Sequence, residues 1–308
     1  MTRLHGALQR AADGKAQLLP PEDGIATAQG SDPTQPAFSV PWTLDAEAPA
    51  ATGEAPSPQR TALPSVRLRA SMAIPVEVRE KLVSAADGDQ ADLAVATEQY
   101  RKLAATLHHA QGSRGLKLIM VTSANAGEGK SLTASNLALT LSESYQRRVL
   151  LIDADLRRPS LHTVFGVPND TGLSDWLARD SIEGLAVVEV SPHLSVLPSS
   201  RPMEDPTSAL TSGQMRRILE EARAGYDWTI IDTPPIGLLT DARLLAEMVD
   251  GVVIVVQAEK SPYPDVVRAI ENIGRERVLG AVLNRLQLVP GDAHYYASYY
   301  RRTQAPRA

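Results

Sequence analysis

A stretch near the middle of the chain, residues 116–131, constrains the fold more than any other. It reads LKLIMVTSANAGEGKS, an apolar run at Leu118–Val121 followed by a loop of small residues and then by Lys130. The apolar run predicts a buried strand, and the apolar spacing that follows Ser131 predicts a helix. Small residues let backbone N–H groups turn inward around an anion, and a helix start adds positive potential. The stretch therefore predicts an anion site between a strand and a helix.

The spacing of this loop matches the P-loop pattern G-x-x-x-x-G-K-[ST], except that Ala124 stands where the pattern has its first glycine. In a P-loop, Lys130 would reach the β- and γ-phosphates of a nucleotide and the Ser131 hydroxyl would bind Mg²⁺. An ordinary βα turn that happens to contain Gly-x-Gly-Lys-Ser is the alternative interpretation. The candidate nucleotide-binding residues are Ala126, Gly127, Glu128, Gly129, Lys130, Ser131 and Leu132.

Continuous apolar runs recur along the chain and alternate with amphipathic segments. Because a strand buried on both faces is apolar throughout, this alternation predicts a parallel sheet covered by helices. The predicted strands are 118–121, 149–152, 187–190, 194–197, 228–231, 251–256 and 279–283, and further helices are predicted over 215–224, 244–248 and 266–273. The predicted fold class is α/β, a P-loop NTPase with a mostly parallel sheet and helices on both faces.

Polar residues follow several of these strands directly. In a parallel sheet, ligands bind beyond the carboxyl ends of the strands. The residues of chemical interest all fall at such ends, namely Lys130, Asp153, Asp155, Asp232 and Asn284. The sequence therefore predicts that they share one edge of the sheet.

Asp232 ends an apolar strand and is followed by Thr-Pro-Pro. A carboxylate at such a position beside a P-loop is the Walker B pattern, which holds Mg²⁺ directly or through water, whereas a helix N-cap or turn former is the alternative. We assign one of Asp153 and Asp155 to Mg²⁺ and the other to accepting a proton near the γ-phosphate. Arg157 either balances these carboxylates, contacts phosphate or forms a structural salt bridge.

The remainder of the chain divides by composition. Residues 1–65 are rich in Pro, Ala and Gly without periodicity, which predicts a disordered extension. Residues 66–110 contain an amphipathic helix that either caps the domain or forms a subunit interface, and residues 111–290 form the P-loop domain. Residues 291–308 form a predicted exposed tail in which almost no aliphatic residue accompanies the tyrosines. The candidate phosphoacceptors are Tyr295, Tyr296, Tyr299 and Tyr300, four of the eight tyrosines in the chain.

Composition excludes several classes of function. The formal net charge of −5 argues against a general nucleic-acid binder, and the absence of cysteine excludes disulfides and thiolate metal sites. No apolar run approaches the roughly 20 residues of a transmembrane helix, and the N-terminus lacks the apolar block of a secretory signal. We therefore expect a cytoplasmic protein, for which any association with the membrane would have to go through a partner.

The ordered set SANAGEGKS, LLIDADLRRP, IIDTPP, VLN and a terminal tyrosine cluster, over about residues 95 to 300, resembles one family. This is the CpsD/CapB-type bacterial tyrosine kinases of capsule and exopolysaccharide synthesis, which are related to the MinD/ParA ATPases. The resemblance implies ATP and Mg²⁺ as cofactors, with Ser131, Asp155 and Asp232 as metal ligands. It implies that Asp153 assists deprotonation of tyrosine, that Asn284 lies near the base, and that the tail tyrosines are autophosphorylated in trans.

The resemblance also implies partners. These are a membrane-embedded chain-length determinant (polysaccharide co-polymerase) that activates the kinase, a cognate tyrosine phosphatase, and further copies of the chain in a homo-oligomer. The family's interface helix resembles E-x-x-R-x-x-R, and here Glu98 and Arg101 fit while Ala104 takes the last position. The alternative function is a MinD/ParA-like nucleotide-switched ATPase scaffold without kinase activity. Those ATPases carry a signature lysine where this chain has Asn125, which favours the kinase.

Overall fold

The computed structural model describes residues 90–179, 187–237 and 240–286. Its helices are α1 (Gln90–Arg114), α2 (Lys130–Ser144), α3 (Leu161–Phe165), α4 (Leu173–Leu177), α5 (Pro206–Thr211), α6 (Gly213–Gly225), α7 (Thr240–Ala246) and α8 (Tyr263–Ile273), with a 3₁₀ turn at Arg275–Arg277. Its strands are β1 (Leu118–Ser123), β2 (Val149–Asp153), β3 (Val188–Ser191), β4 (Leu194–Leu197), β5 (Trp228–Asp232), β6 (Gly251–Gln257) and β7 (Val278–Asn284).

The strands form one sheet of seven in the order β3-β4-β2-β5-β1-β6-β7. All neighbouring pairs are parallel except β3 and β4, which are antiparallel. Every residue of β1, β2 and β5 is buried. Two large clusters of buried apolar side chains pack against the two faces of the sheet. The predicted fold class, a mostly parallel sheet covered on both faces, is confirmed.

The predicted strands appear within one or two residues of their expected bounds. Strands β1, β2, β4 and β5 are buried throughout, and a fully buried strand has a continuous apolar signature. The helix expected over 244–248 instead begins at Thr240 and ends at Ala246. Asp241 in its first turn favours a helix start there. Helices α3, α4 and α5 were not predicted, since five or six residues are too few to show a helical period.

Helix α1 packs against α2 through a buried face that includes Leu103, Ala104 and Leu107. It crosses the predicted boundary between residues 110 and 111 and ends at Arg114. Glu98 and Arg101 form an ion pair of 3.4 Å, with the Arg101 side chain half exposed. Ala104 is completely buried because its position faces α2, so the third position of the interface pattern does not reach the outer face of the helix.

Two of the predictions concern residues outside the described ranges. These are the extension over residues 1–65 and the tyrosine tail over residues 291–308. Within the described ranges, no helix combines the length and the hydropathy that crossing a membrane requires.

Candidate active site

The carboxyl ends of β1, β2 and β5 form the edge of the sheet at which the candidate site is built. Asp232, the last residue of β5, lies in register with Val121 of β1 on one side and with Asp153 of β2 on the other. Beyond the strand ends, the backbone N–H of Ala154 donates to the carbonyl of Asp232 at 2.8 Å. The two aspartates predicted to lie at one edge of the sheet are therefore neighbours, although they are far apart in sequence.

The loop between β1 and α2 turns at two glycines with positive φ, 81° at Gly127 and 94° at Gly129. Glycine adopts this left-handed conformation without the steric penalty of a Cβ atom. Helix α2 begins directly afterwards at Lys130, and the first N–H groups of a helix have no intrahelical acceptor. The predicted residues 126–132 thus form a glycine-rich turn that ends in the exposed donors of a helix start, which is the arrangement that binds phosphate.

Ala124, which replaces the first glycine of the P-loop pattern, is fully buried without disrupting the loop. The loop after β5 approaches it closely, and the N–H of Gly237 donates to the carbonyl of Ala124 at 3.2 Å. A Cβ atom on Gly237 would lie 2.4 Å from that carbonyl oxygen. The absence of a side chain at Gly237 therefore lets the loop after β5 approach the backbone of the P-loop closely.

Lys130 and Asp155 form an ion pair, with Nζ 3.1 Å from Oδ2. The Lys130 side chain is 13% exposed and that of Asp155 is 5% exposed, so the pair is well shielded from water. The other oxygen of Asp155, Oδ1, accepts a hydrogen bond from the backbone N–H of Arg158 at 3.1 Å. The P-loop lysine is thus held over the strand edge by the second aspartate of the Asp-x-Asp motif.

Asp232 is completely buried, and neither of its carboxylate oxygens has a hydrogen-bond partner among the described residues. The pKa of Asp232 is raised to about 8, mainly by burial and also by the negative charge of Asp153. The positive charge of Lys130 and the Ser131 hydroxyl act in the opposite direction. Two unsatisfied, buried carboxylate oxygens are costly, so this group is suited to a cation that arrives with a ligand.

Asp153 is buried as well, but its carboxylate is largely satisfied by the backbone. Its Oδ2 accepts from the N–H groups of Ser160 and Leu161 at 2.9 Å each, and its Oδ1 accepts from that of Asp155 at 3.3 Å. Burial raises the pKa of Asp153 to about 6, while the bonds from Leu161 and Ser160 oppose that shift. Asp153 therefore shapes the loop that carries Asp155 and also offers Oδ1, which accepts only the longer bond, to an incoming group.

The charges of this edge fit a nucleotide-bound divalent cation. Lys130 supplies one positive charge against the carboxylates of Asp153, Asp155 and Asp232, which leaves two negative charges in excess when all are ionised. Within the described ranges, no group of three or more His, Cys, Asp or Glu side chains is arranged to hold a metal by itself. Mg²⁺ usually takes one or two carboxylates and completes its shell with water and phosphate oxygens. The unsatisfied Asp232 beside Ser131 fits such a shared site.

Glu128, inside the P-loop, is buried and connects the loop to the residues at the ends of β6 and β7. Its carboxylate accepts hydrogen bonds from the backbone N–H of Asn125 at 3.0 Å and from the Ser261 hydroxyl, which follows β6. Its carbonyl accepts from Nδ2 of Asn284, at the end of β7, at 2.9 Å. Asn125 also donates to Asp265 of the same chain at 3.3 Å. Asn284, expected near a nucleotide base, thus contacts the P-loop itself.

Arg157 follows the Asp-x-Asp motif and pairs with an aspartate that the sequence analysis did not select. Its Nε donates to Oδ2 of Asp241 at 2.8 Å, which is the structural salt bridge considered among its roles. Asp241 is fully buried although it lies in the first turn of α7. Asp241 precedes the buried Ala242 and lies one helical turn before the buried Leu245, so it falls on the face of α7 that is directed to the core, and this is the signal that could have revealed it.

Comparison with known proteins places these motifs in a wider group. Residues 116–277 match the family model described as AAA domain. The chain is 38% identical over 207 residues to the tyrosine-protein kinase YwqD of Bacillus subtilis, covering 66% of this chain and 86% of that protein. It is 30% identical over 207 residues to the putative tyrosine-protein kinase CapB of Staphylococcus aureus, covering 66% and 90%. The kinase domain of the Escherichia coli tyrosine kinase ETK matches with a TM-score of 0.57 and 28% identity, covering 63% of this chain and 78% of that one.

Proposed function

Since the chain belongs to the family of bacterial tyrosine-protein kinases and is itself a protein-tyrosine kinase, we propose that it transfers the γ-phosphate of ATP to tyrosines of its own C-terminal tail. The observation that carries this proposal is the edge formed by the Lys130–Asp155 pair and the unsatisfied Asp232. The transfer would regulate polymerisation and export of a capsular or extracellular polysaccharide, the setting that the family resemblance implies.

ATP would bind with its phosphates against the turn and helix start at residues 126–132. The backbone donors of that turn and Lys130 would hold the β- and γ-phosphates. Ser131, Asp155 and Asp232 would hold Mg²⁺. When bound, the ion neutralises charge on the β- and γ-phosphate oxygens. Binding would also give the two buried oxygens of Asp232 the partner that they lack among the described residues.

The transfer itself requires positioning and a proton acceptor more than covalent chemistry by the protein. The phenol oxygen of a tail tyrosine attacks the γ-phosphorus, the bond from that phosphorus to the bridging β–γ oxygen breaks, and ADP leaves. The phenol proton passes to Asp153. Its raised pKa, to about 6, makes Asp153 a stronger base than an exposed aspartate.

The tail is the proposed acceptor because Tyr100, Tyr145 and Tyr226 are partly buried and packed against the core. Burial raises the pKa of Tyr100, whose hydroxyl lies beside Thr133 and Asn136 on α2. Burial likewise raises the pKa of Tyr226, whose hydroxyl lies beside Ser195. A phenol packed against the core in this way cannot reach a phosphate at the strand edge without local unfolding. Tyr295, Tyr296, Tyr299 and Tyr300 are therefore the proposed sites.

The proposed partners follow from the family. A membrane-embedded chain-length determinant would recruit the kinase to the inner face of the membrane and activate it, and a cognate tyrosine phosphatase would reverse the modification. Transfer in trans would require a homo-oligomer. Glu98 and Arg101 on the outer face of α1 support an interface there, whereas the buried Ala104 restricts it to those two positions of the pattern.

The deciding experiment is mass spectrometry of the chain expressed in a bacterial host, with and without a candidate membrane partner. We expect phosphotyrosine within residues 291–308 of the wild type and none in Lys130→Met, because that variant lacks the charge at the β- and γ-phosphates. A variant with all four tail tyrosines changed to Phe serves as the control, since it should lose phosphate but keep nucleotide binding.

Phosphate that persists in Lys130→Met would contradict the assignment of the active site. Phosphate that maps instead to Tyr226 or Tyr263 would contradict the choice of the tail as acceptor.

A further inference from the structure

The guanidinium of Arg157 is held at one of its three nitrogens. Nε donates to Asp241, and the two Nη groups have no hydrogen-bond partner within the described ranges. The Arg157 side chain is 41% exposed whereas that of Asp241 is 1% exposed. The pair therefore has a buried anchor and an open cationic end.

Asp241 is an anchor with both oxygens engaged. Oδ2 accepts from Nε of Arg157, and Oδ1 accepts from the hydroxyl of Thr207 on α5. Burial raises the pKa of Asp241, but the hydrogen bonds from Arg157 and Thr207 outweigh this and hold it below its usual range. An ionised carboxylate on α7 thus ties the loop after β2 to α5, and the direction of the guanidinium is determined by three separate elements.

The open end of Arg157 has the geometry of a phosphate receptor. A guanidinium whose Nε is occupied presents its two Nη groups as a planar fork, which matches two oxygens of one phosphoryl group. Arg157 is two residues beyond Asp155, the partner of Lys130, and the charge of Asp155 acts on it. The guanidinium is therefore within electrostatic reach of the Lys130–Asp155 pair, where the terminal phosphate of ATP would be held.

We propose that Asp241 is a positioning residue which, with Thr207, aims Arg157 at the terminal phosphate of ATP, so that the site distinguishes ATP from ADP. This inference rests on the proposed placement of the nucleotide. It assigns to α5 and α7, which lie outside the P-loop and both Asp motifs, a part in sensing which nucleotide is bound.

The test compares the affinities of AMP-PNP, a non-hydrolysable ATP analogue, and of ADP, each measured calorimetrically with Mg²⁺. Arg157→Lys keeps the charge but removes the fork, and Asp241→Asn removes the charge that holds it. We expect both variants to lower the ratio of AMP-PNP to ADP affinity by about tenfold or more, because a hydrogen bond to a charged group contributes at least about 1.5 kcal/mol. Affinity for ADP, which has no γ-phosphate to contact, should change less than twofold.

Two further variants separate positioning from a general effect on folding. Thr207→Ser keeps the hydroxyl that anchors Asp241 and should retain the wild-type ratio. Asp250→Asn alters a comparable pair, Arg223–Asp250, which lies at the amino ends of the strands. There Asp250 accepts hydrogen bonds from the backbone N–H groups of Lys117 and Leu118. We expect Asp250→Asn to be less stable than the wild type and to keep the wild-type ratio of AMP-PNP to ADP affinity.

An unchanged ratio in Asp241→Asn and Arg157→Lys would overturn the inference, as would an equal loss of affinity for both nucleotides. The proposed function is tested separately by tail phosphotyrosine in the wild type. A wild type that makes phosphotyrosine while the two variants keep its ratio would refute the inference alone. A wild type without phosphotyrosine whose variants lose the ratio would refute the proposed phosphoryl transfer to the tail and leave this inference standing.

Discussion

At the scale of single residues, the site is a set of carboxylates in unequal environments. Asp155 is paired with Lys130, Asp153 is satisfied by backbone N–H groups, and Asp232 has no partner in the described part of the chain. An unsatisfied buried carboxylate lowers the stability of the ligand-free protein. Asp232 therefore lowers the stability of the protein without ligand, and its carboxylate gains a partner only when nucleotide and metal bind.

The pH dependence of stability should follow from Asp232. Its pKa in the folded protein is about 8 rather than 3.8, so the folded state holds the proton more tightly than the unfolded state does. This contribution to stability is complete below about pH 4 and is lost as pH rises through about 8. Asp153, with a pKa of about 6, likewise contributes stability at low pH that is lost as the pH rises, over a lower pH range than for Asp232.

Asp232→Asn should therefore stabilise the nucleotide-free protein at pH 9 while abolishing kinase activity. Removing the buried charge should contribute about 1–3 kcal/mol, at roughly 2–4 °C in Tm for each kcal/mol. Thermal denaturation at pH 5 and pH 9 would measure it, with a smaller difference at pH 5. The matched control is Asp250→Asn, which should destabilise because Arg223 and two backbone donors hold the pKa of Asp250 low despite its burial. A Tm for Asp232→Asn below that of the wild type at pH 9 would refute this account.

At the scale of elements, the P-loop is shaped by its neighbours as much as by its own glycines. Asn284 at the end of β7 lies against Gly129, where an added Cβ atom would be 2.0 Å from its Nδ2. The Ser261 hydroxyl and the N–H of Asn125 hold Glu128 from two sides. The loop is consequently closed against β6 and β7 on one flank while its phosphate-facing side stays open.

Gly129→Ala should weaken nucleotide binding by more than about tenfold, a difference of about 1.4 kcal/mol. The added methyl group displaces Asn284, and alanine is strained at a φ of 94°. Gly115→Ala is the control, since Gly115 has a φ of 68° but no atom within 4 Å of an added Cβ. It should cost about 1–2 kcal/mol of stability and leave ADP affinity within twofold. Equal loss of affinity in both variants would mean that a general loss of stability, and not the contact with Asn284, determines the effect.

At the scale of the whole molecule, the candidate site forms only when the whole sheet is assembled. The nucleotide edge draws on the ends of β1, β2, β5 and β7, and these strands are the centre and one margin of the sheet. A ligand that bridges them binds the folded chain only, so its binding energy adds to the stability of the entire sheet.

Mg²⁺–ATP at about a hundred times its Kd should stabilise the wild type by about 2.7 kcal/mol, or roughly 5–10 °C in Tm. Differential scanning fluorimetry with AMP-PNP in place of ATP avoids turnover. Lys130→Met should show little of this shift, because it loses the charge at the phosphates, while the variant without tail tyrosines should keep it. A full shift in Lys130→Met would show that the ligand binds elsewhere.

Local patterns account for most of the fold and for the core of the site. Apolar runs located the strands, and their carboxyl ends located Lys130, Asp153, Asp155 and Asp232, because burial on both faces of a sheet leaves a continuous signature within a few residues. Helices α3, α4 and α5 were not predicted, because a helix of five or six residues is too short to show a helical period of apolar residues in the sequence.

By itself, the sequence determined which chemistry the chain carries and which edge of a parallel sheet would bear it. Only the tertiary structure decided how each group is held. Arg157 and its anchor Asp241 are 84 positions apart, and Asn284 and Glu128 are 156 apart. Periodicity and burial are encoded within a few neighbouring residues, whereas such pairs depend on strand order and loop paths set by the packing of the whole sheet.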